Sequence, residues 1–277
     1  MNVGVAGGEL GRQRSLGGQA RRTGRPPRVT REAILETVLE LGIDKATVSA
    51  VAERVGVDPS TLYGHVAGRG EMVAAAAEVA ISRVRWRGQP ADGAAGDGWS
   101  AGAALGPAPG GELDGVTSGG SPDDVPDDWR GFLTSIAEDL WGMYREHPGL
   151  SGYLRTTDVP SPTLLTLAAG AVEVLTSRYG LGVPLAALAV DLVGDSVIDS
   201  FLTVTRLEQA AADDSTRAAR DKAVDSVDLL AGHTQQEYVE VLKSALGSPQ
   251  GSGAWWRDKV QLVLDGVAYR LSGPATG

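Results

Sequence analysis

Residues 88–127 hold eleven glycines and five prolines in forty positions, together with seven acids and no lysine or arginine. A stretch with so few branched apolar residues cannot bury enough surface to offset the entropy lost on ordering. It reads as a flexible acidic insertion or linker, and it divides the chain: what folds must fold as one body before it and another after it. The expected organisation is a basic arm over 1–28, a small domain over 29–87, the linker over 88–127 and a larger domain over 128–273. A second polar segment, 210–228, is compatible with either helix or loop.

The patterned segments have helical period. Thr30 is an N-cap for 31–41, where Ile34, Leu35, Val38 and Leu39 share a face and Gly42 follows. Asp127 or Asp128 caps a helix through Trp129, Phe132, Leu133, Ile136, Leu140 and Tyr144, ended by His147, Pro148 and Gly149. Ser161 and Pro162 open another, expected to turn Leu164, Leu165, Ala168, Val172 and Leu175 inward. A long helix starts at Pro184 and runs through Phe201, a short one surrounds Tyr238, and a last one spans Ala254 to Leu271. No alternating strand pattern of convincing length occurs, so the expected class is all-α.

Composition narrows the chemistry. The chain has no cysteine, which excludes disulfides, thiolate metal sites and a cysteine nucleophile. Its histidines are His65, His147 and His233, and with His65 committed to the N-terminal part no three-histidine metal site is available. No phosphate loop or dinucleotide fingerprint occurs, and no cofactor is expected. Neither a membrane span nor a signal-peptide core is present, so the expected location is cytoplasmic. The net charge of −10 conceals an uneven distribution: residues 1–87 carry +4 and residues 88–277 carry −14. Seven arginines lie in the first 31 residues against one acid, Glu9. A polyanion would suit that end of the molecule and not the other.

The stretch TVSAVAERVGVDPSTLYGHV, Thr47 to Val66, reads as two short helices, Thr47 to Arg54 and Pro59 to Val66, around a turn at Gly56 and Val57. Asp58 caps the second helix and Pro59 takes its first position. Val51, Val55, Val57 and Leu62 are the expected contacts between them, and Ala52 permits close approach. The second helix then presents Ser60, Thr61, Tyr63, Gly64 and His65, a polar set able to reach phosphates and base edges in a major groove.

From Arg31 to Val79 the sequence resembles the DNA-binding domain of the TetR family of transcriptional repressors. The Leu-Gly end of the first helix, the Thr opening the second, Val-Gly-Val in the turn, Leu-Tyr in the recognition helix and the following Arg69 and Met72 carry the resemblance. DDWRGFL with the turn at 146–149 is similar to the tetracycline-repressor-like branch. The resemblance implies an N-terminal three-helix helix-turn-helix domain and a C-terminal helical ligand-binding and dimerisation domain. Thr47 would contact phosphate; Ser60, Thr61, Tyr63, Gly64 and His65 would face DNA; Arg69 would anchor the DNA backbone. Arg25 and Arg28 of the arm would reach the neighbouring minor groove. Gly64 stands where many relatives have an aromatic and Ala67 where they often have lysine, and each change removes a contact.

For the larger domain, the candidate ligand contacts are Trp141, His147, Asp195 and Phe201. His147 by itself reads rather as a helix C-terminal residue suited to the dipole. Asp191, Asp195 and Asp199 recur every four residues, as a solvated stripe, as partners for arginines or as a cavity lining. The implied function is a ligand-responsive repressor that binds a palindromic operator as a homodimer, paired through the helix from Pro184 and the last helix, and is released by a small-molecule inducer. The alternatives are a constitutive DNA-binding protein without an inducer and, further off, an enzyme on an all-α scaffold.

Overall fold

In the computed structural model the described residues are 29–84, 126–227, 235–247 and 249–273. The arm with Arg25 and Arg28, nearly all of the 88–127 segment, and His233 lie outside them. The described residues form eleven helices and no strand. The first body comprises α1 (Arg31–Leu41), α2 (Val48–Val55), α3 (Pro59–Leu62) and α4 (Arg69–Ser82). The second comprises α5 (Trp129–Glu146), α6 (Leu150–Thr156), α7 (Pro162–Ser177), α8 (Val183–Ala212), α9 (Asp214–Val227), α10 (Gln236–Gly247) and α11 (Pro249–Ser272).

Local signals set most boundaries. Thr30 accepts a hydrogen bond from the Ala33 amide at 3.2 Å, Asp128 from Gly131 at 2.7 Å and Ser161 from Leu164 at 3.0 Å. Each satisfies an amide that the first helical turn leaves unpaired. The 210–228 segment is helical. Asp213 caps α9 by accepting from the Thr216 amide at 2.8 Å and from both neighbouring hydroxyls, which lowers its carboxyl to about 2.

Buried apolar residues form one continuous cluster through both bodies. In the first it is built from Ile34, Val38, Ile43, Val51, Leu62, Met72 and the alanines of α4. Ala75, Ala76, Ala77 and Ala80 make α4 thin enough to pack closely against α1 and α7. In the second, Phe132, Ile136 and Leu140 of α5 and Val193 and Val197 of α8 join Trp256, Val260 and Leu264 of α11. Trp256 stacks on Trp141 with centroids 4.9 Å apart and planes 14° from parallel.

The inward face of α7 differs from the expected one. Leu167, Ala171 and Leu175 are buried while Leu165 is exposed. A helix with apolar residues almost all round carries little directional information, so its neighbours α4 and α8 choose the buried stripe. The acidic repeat of α8 is resolved likewise. Arg155 of α6 reaches Asp195 at 3.3 Å and Asp199 at 3.1 Å, so these carboxylates hold α6 against α8.

Candidate nucleic-acid interface and the cleft behind it

Two capped helices and a glycine make the turn. Thr47 accepts from the Ala50 amide at 3.1 Å, and Asp58 accepts from the Ser60 amide at 2.9 Å. The Ser60 hydroxyl first, and that amide bond second, hold the Asp58 carboxyl below its usual range. Between the caps Gly56 takes a left-handed conformation at φ 79°, where an L side chain would be strained. Val51 and Leu62 are fully buried where the helices meet.

Regular helix in α3 ends at Leu62, four residues short of the expected Val66. Beyond it the chain continues in tighter turns, with the His65 amide donating to the Leu62 carbonyl at 2.9 Å and Gly64 to Thr61 at 3.2 Å. Gly64 is the physical reason: without a side chain it loses more freedom on entering a helix than any other residue. Ser60, Thr61, Tyr63 and Gly64 nevertheless share the exposed side of the unit, with Tyr63 at 59% exposure, and His65 is half-buried beside them. Thr47 is exposed at the start of α2.

Arg69 is exposed and bonded to the loop that precedes α2. Its Nε donates to the Ala46 carbonyl at 2.7 Å, and one Nη to those of Asp44 and Ile43 at 3.2 and 3.4 Å. Its guanidinium thus clasps the loop between α1 and α2. In the first turn of α4, Glu71 accepts from the Ala67 amide at 2.6 Å and pairs with Arg31 at 3.0 Å. The Ala67 bond, more than the arginine, holds the Glu71 carboxyl low.

The clasped loop is the contact point between the two bodies. The Ile43 amide donates to the Pro148 carbonyl at 2.9 Å, and Gly149 sits against Asp44 so closely that a Cβ there would lie 2.5 Å from the Asp44 nitrogen. A second junction joins α4 to α7, where Glu78 accepts from the Thr163 amide at 3.2 Å.

Beside the loop opens a cleft of about 920 Å³. Trp141 and Tyr144 of α5, Tyr153 of α6 and Phe201 of α8 supply its aromatic lining. Lys45, Arg69, Arg145 and Arg206 supply positive charge, and Asp44 and Glu208 the acids. Phe201 stands edge-on to Trp141 at 5.0 Å. Tyr144 is buried, and desolvation first and Asp195 second push its phenol well above the usual range.

The four candidate ligand contacts separate here. Trp141 and Phe201 line the cleft; His147 and Asp195 do not. His147 is the C-cap of α5, and burial lowers its pKa against the opposing pull of Glu146. Asp195 is occupied with Arg155. Tyr153, Arg145, Lys45 and Arg206 went unrecognised in the sequence because single aromatics and cations on amphipathic helices look like ordinary solvated positions. Among the described residues no group of three or more His, Asp or Glu is placed to hold a metal ion.

A helix-turn-helix head joined through its first loop to an all-helical body with an aromatic cleft defines the class of protein. No protein-family profile matches the sequence, and no curated protein matches it. Solved structures do match the fold. A possible TetR family transcriptional regulator from Streptomyces coelicolor A3(2) superposes with a TM-score of 0.57 at 23% identity, covering 86% of this chain and 98% of that one. The S. coelicolor TetR family protein ActR in complex with actinorhodin gives 0.55 at 17% identity, covering 88% and 97%. TetR from Acinetobacter baumannii AYE gives 0.50 at 17%, covering 88% and 96%. The fold is that of the TetR family of transcriptional regulators.

Proposed function

We propose that this chain is a ligand-responsive transcriptional repressor that binds a palindromic operator as a homodimer and is released by a small-molecule inducer. One observation carries the reading: the loop leading into the helix-turn-helix is hydrogen-bonded to the α5–α6 turn, Ile43 to Pro148, at the edge of the aromatic cleft. An occupant of that cleft touches the loop on which α2 and Thr47 are mounted. Two sites and one shared element are what an allosteric coupling needs. The presence of actinorhodin in ActR supports a small-molecule effector for a protein of this fold.

The DNA-facing set in this reading is Thr47, Ser60, Thr61, Tyr63, Gly64 and His65, with Arg25 and Arg28 from the arm. Arg69 contributes by holding the loop rather than by reaching a phosphate. A recognition element of this size reads only a few base pairs, so a twofold pair on a palindrome is the sensible arrangement. For the pairing surface, α8 offers Leu188 and Leu192, and α11 offers Leu262 and Tyr269, all exposed in the single chain. The protein acts by binding rather than by catalysis.

Selection of bound DNA from a random pool tests the reading. An enriched palindrome is expected, and Tyr63→Phe should weaken binding to it while leaving the salt slope unchanged, because the lost phosphate contact comes from an uncharged hydroxyl. Recovery of no palindrome would refute the operator reading.

A further inference from the structure

We propose that the cleft takes a planar aromatic anion, and that the anionic group of this ligand competes for Arg69 with the backbone of the α1–α2 loop. The consequence at DNA rests on the regulatory reading above; the binding itself does not.

The lining argues for the aromatic part. The chain has six Trp, six Tyr and two Phe, and four of these fourteen rings lie on this one cleft. Trp141 is held in place by Trp256 stacked behind it and by the edge of Phe201. A rigid aromatic wall favours a flat ring system over a flexible chain, because less freedom is lost on both sides. Tyr144 adds a polar point. Its side chain is buried, lines the cleft, and makes no hydrogen bond among the described residues. A hydroxyl without a partner, on a side chain that lines the cleft, gains from any ligand oxygen that reaches it.

Charge argues for the anion. Lys45, Arg145 and Arg206 have no ion-pair partner among the described residues, whereas Arg31, Arg54, Arg83, Arg130 and Arg155 each have one. Together with Arg69 and against Asp44 and Glu208 they leave the cleft with an excess of two positive charges. A cationic ligand meets repulsion, and a neutral one leaves the excess unanswered.

Arg69 links the ligand to the head. Its three present acceptors, the carbonyls of Ile43, Asp44 and Ala46, are neutral. A carboxylate offers a guanidinium two parallel hydrogen bonds and the attraction of opposite charges, where a carbonyl offers only the bond and its dipole. An anion in the cleft therefore draws Arg69 off the loop and loosens the segment that positions Thr47 and α2.

The test uses three matched probes on the full chain without DNA: 9-anthracenecarboxylate, the neutral 9-anthracenemethanol and the cationic 9-anthracenemethylamine, each followed by fluorescence anisotropy. The carboxylate should bind about tenfold more tightly than the alcohol, and the amine most weakly. Replacing both Arg145→Met and Arg206→Met, which leaves Lys45 and Arg69 in the cleft, should reduce that preference. Hydrogen exchange at residues 43–47 should accelerate when the carboxylate binds the unmodified chain. The ligand class is overturned if none of the three binds saturably, if the alcohol or amine binds as tightly as the carboxylate, or if the double replacement leaves the preference undiminished. Unchanged exchange at 43–47 on carboxylate binding overturns the role given to Arg69. Because no DNA is present, failure of the operator reading is seen separately, in the pool selection.

Discussion

Gly149→Ala is the sharpest probe of the junction between the two bodies. Gly149 sits at φ 86°, and a Cβ there would lie 2.5 Å from the Asp44 nitrogen, 2.7 Å from its carboxylate oxygen and 2.8 Å from its Cβ. The nearest of these is backbone, so relief requires the α1–α2 loop to move away. The left-handed conformation costs an alanine roughly 1–2 kcal/mol. Loss of the neighbouring Ile43–Pro148 hydrogen bond adds about 1 kcal/mol, for a total of about 2–3 kcal/mol. The control lies one turn on: at Gly152, inside α6, a Cβ meets nothing within 4 Å. Gly152→Ala should stabilise by about 0.5–1 kcal/mol, the ordinary gain from removing a helical glycine. Thermal unfolding followed by circular dichroism should move in opposite directions for the two variants, and exchange of the Ile43 amide should accelerate only in Gly149→Ala. If both variants melt at the same temperature with Ile43 equally protected, the close packing of turn on loop is wrong.

Trp256→Ala, which removes the stack behind Trp141 and leaves a hole between α5, α8 and α11, should lower stability by about 3–5 kcal/mol in urea unfolding. His147 should make the protein acid-sensitive. Burial lowers its pKa in the folded state, with Arg83 adding to this and Glu146 and Glu36 opposing it, so folding disfavours its protonated form. Its contribution is complete above the unfolded pKa of about 6.5 and is lost as pH falls below that value towards the folded one. His147→Asn should flatten the fall in melting temperature across that window, and an identical pH profile would remove His147 as its source. Leu262→Arg, at a position 72% exposed in the single chain, should convert a dimer to a monomer in sedimentation without changing the helical content. Persistence of the dimer would move the pairing surface away from α11.

Much of this molecule was legible along the chain because the determining interactions are local. A cap and its amide lie three residues apart, as at Thr30, Thr47, Asp128 and Ser161, and the glycine of the turn at 56 follows its helix directly. Helical period and the lack of alternation set the all-α class. The exposed set Ser60, Thr61, Tyr63 and Gly64 was readable for the same reason, since Leu62 and Val66 between and after them had to face the core. The early end of α3 at Leu62 was less readable, because a single glycine shifts a helix end by an amount that depends on its packing.

What the chain could not disclose was decided between segments far apart in sequence. Arg69, at the start of α4, is held by carbonyls that lie 23 to 26 residues away, a contact its place in the sequence did not disclose. Asp195 looked like a cavity residue until Arg155, forty positions earlier, claimed it. Leu165 and Leu167 are equally apolar, and only the packing of α7 against α4 and α8 determined which of them is buried. The cleft itself joins a loop near residue 44 to helices ending beyond residue 200. Periodicity and capping act over one or two turns, so the sequence alone determined the helices and the helix-turn-helix unit. Side-chain reach, like charge and close backbone contact, acts across whatever the fold brings together, so only the tertiary structure decided which of those residues form a site.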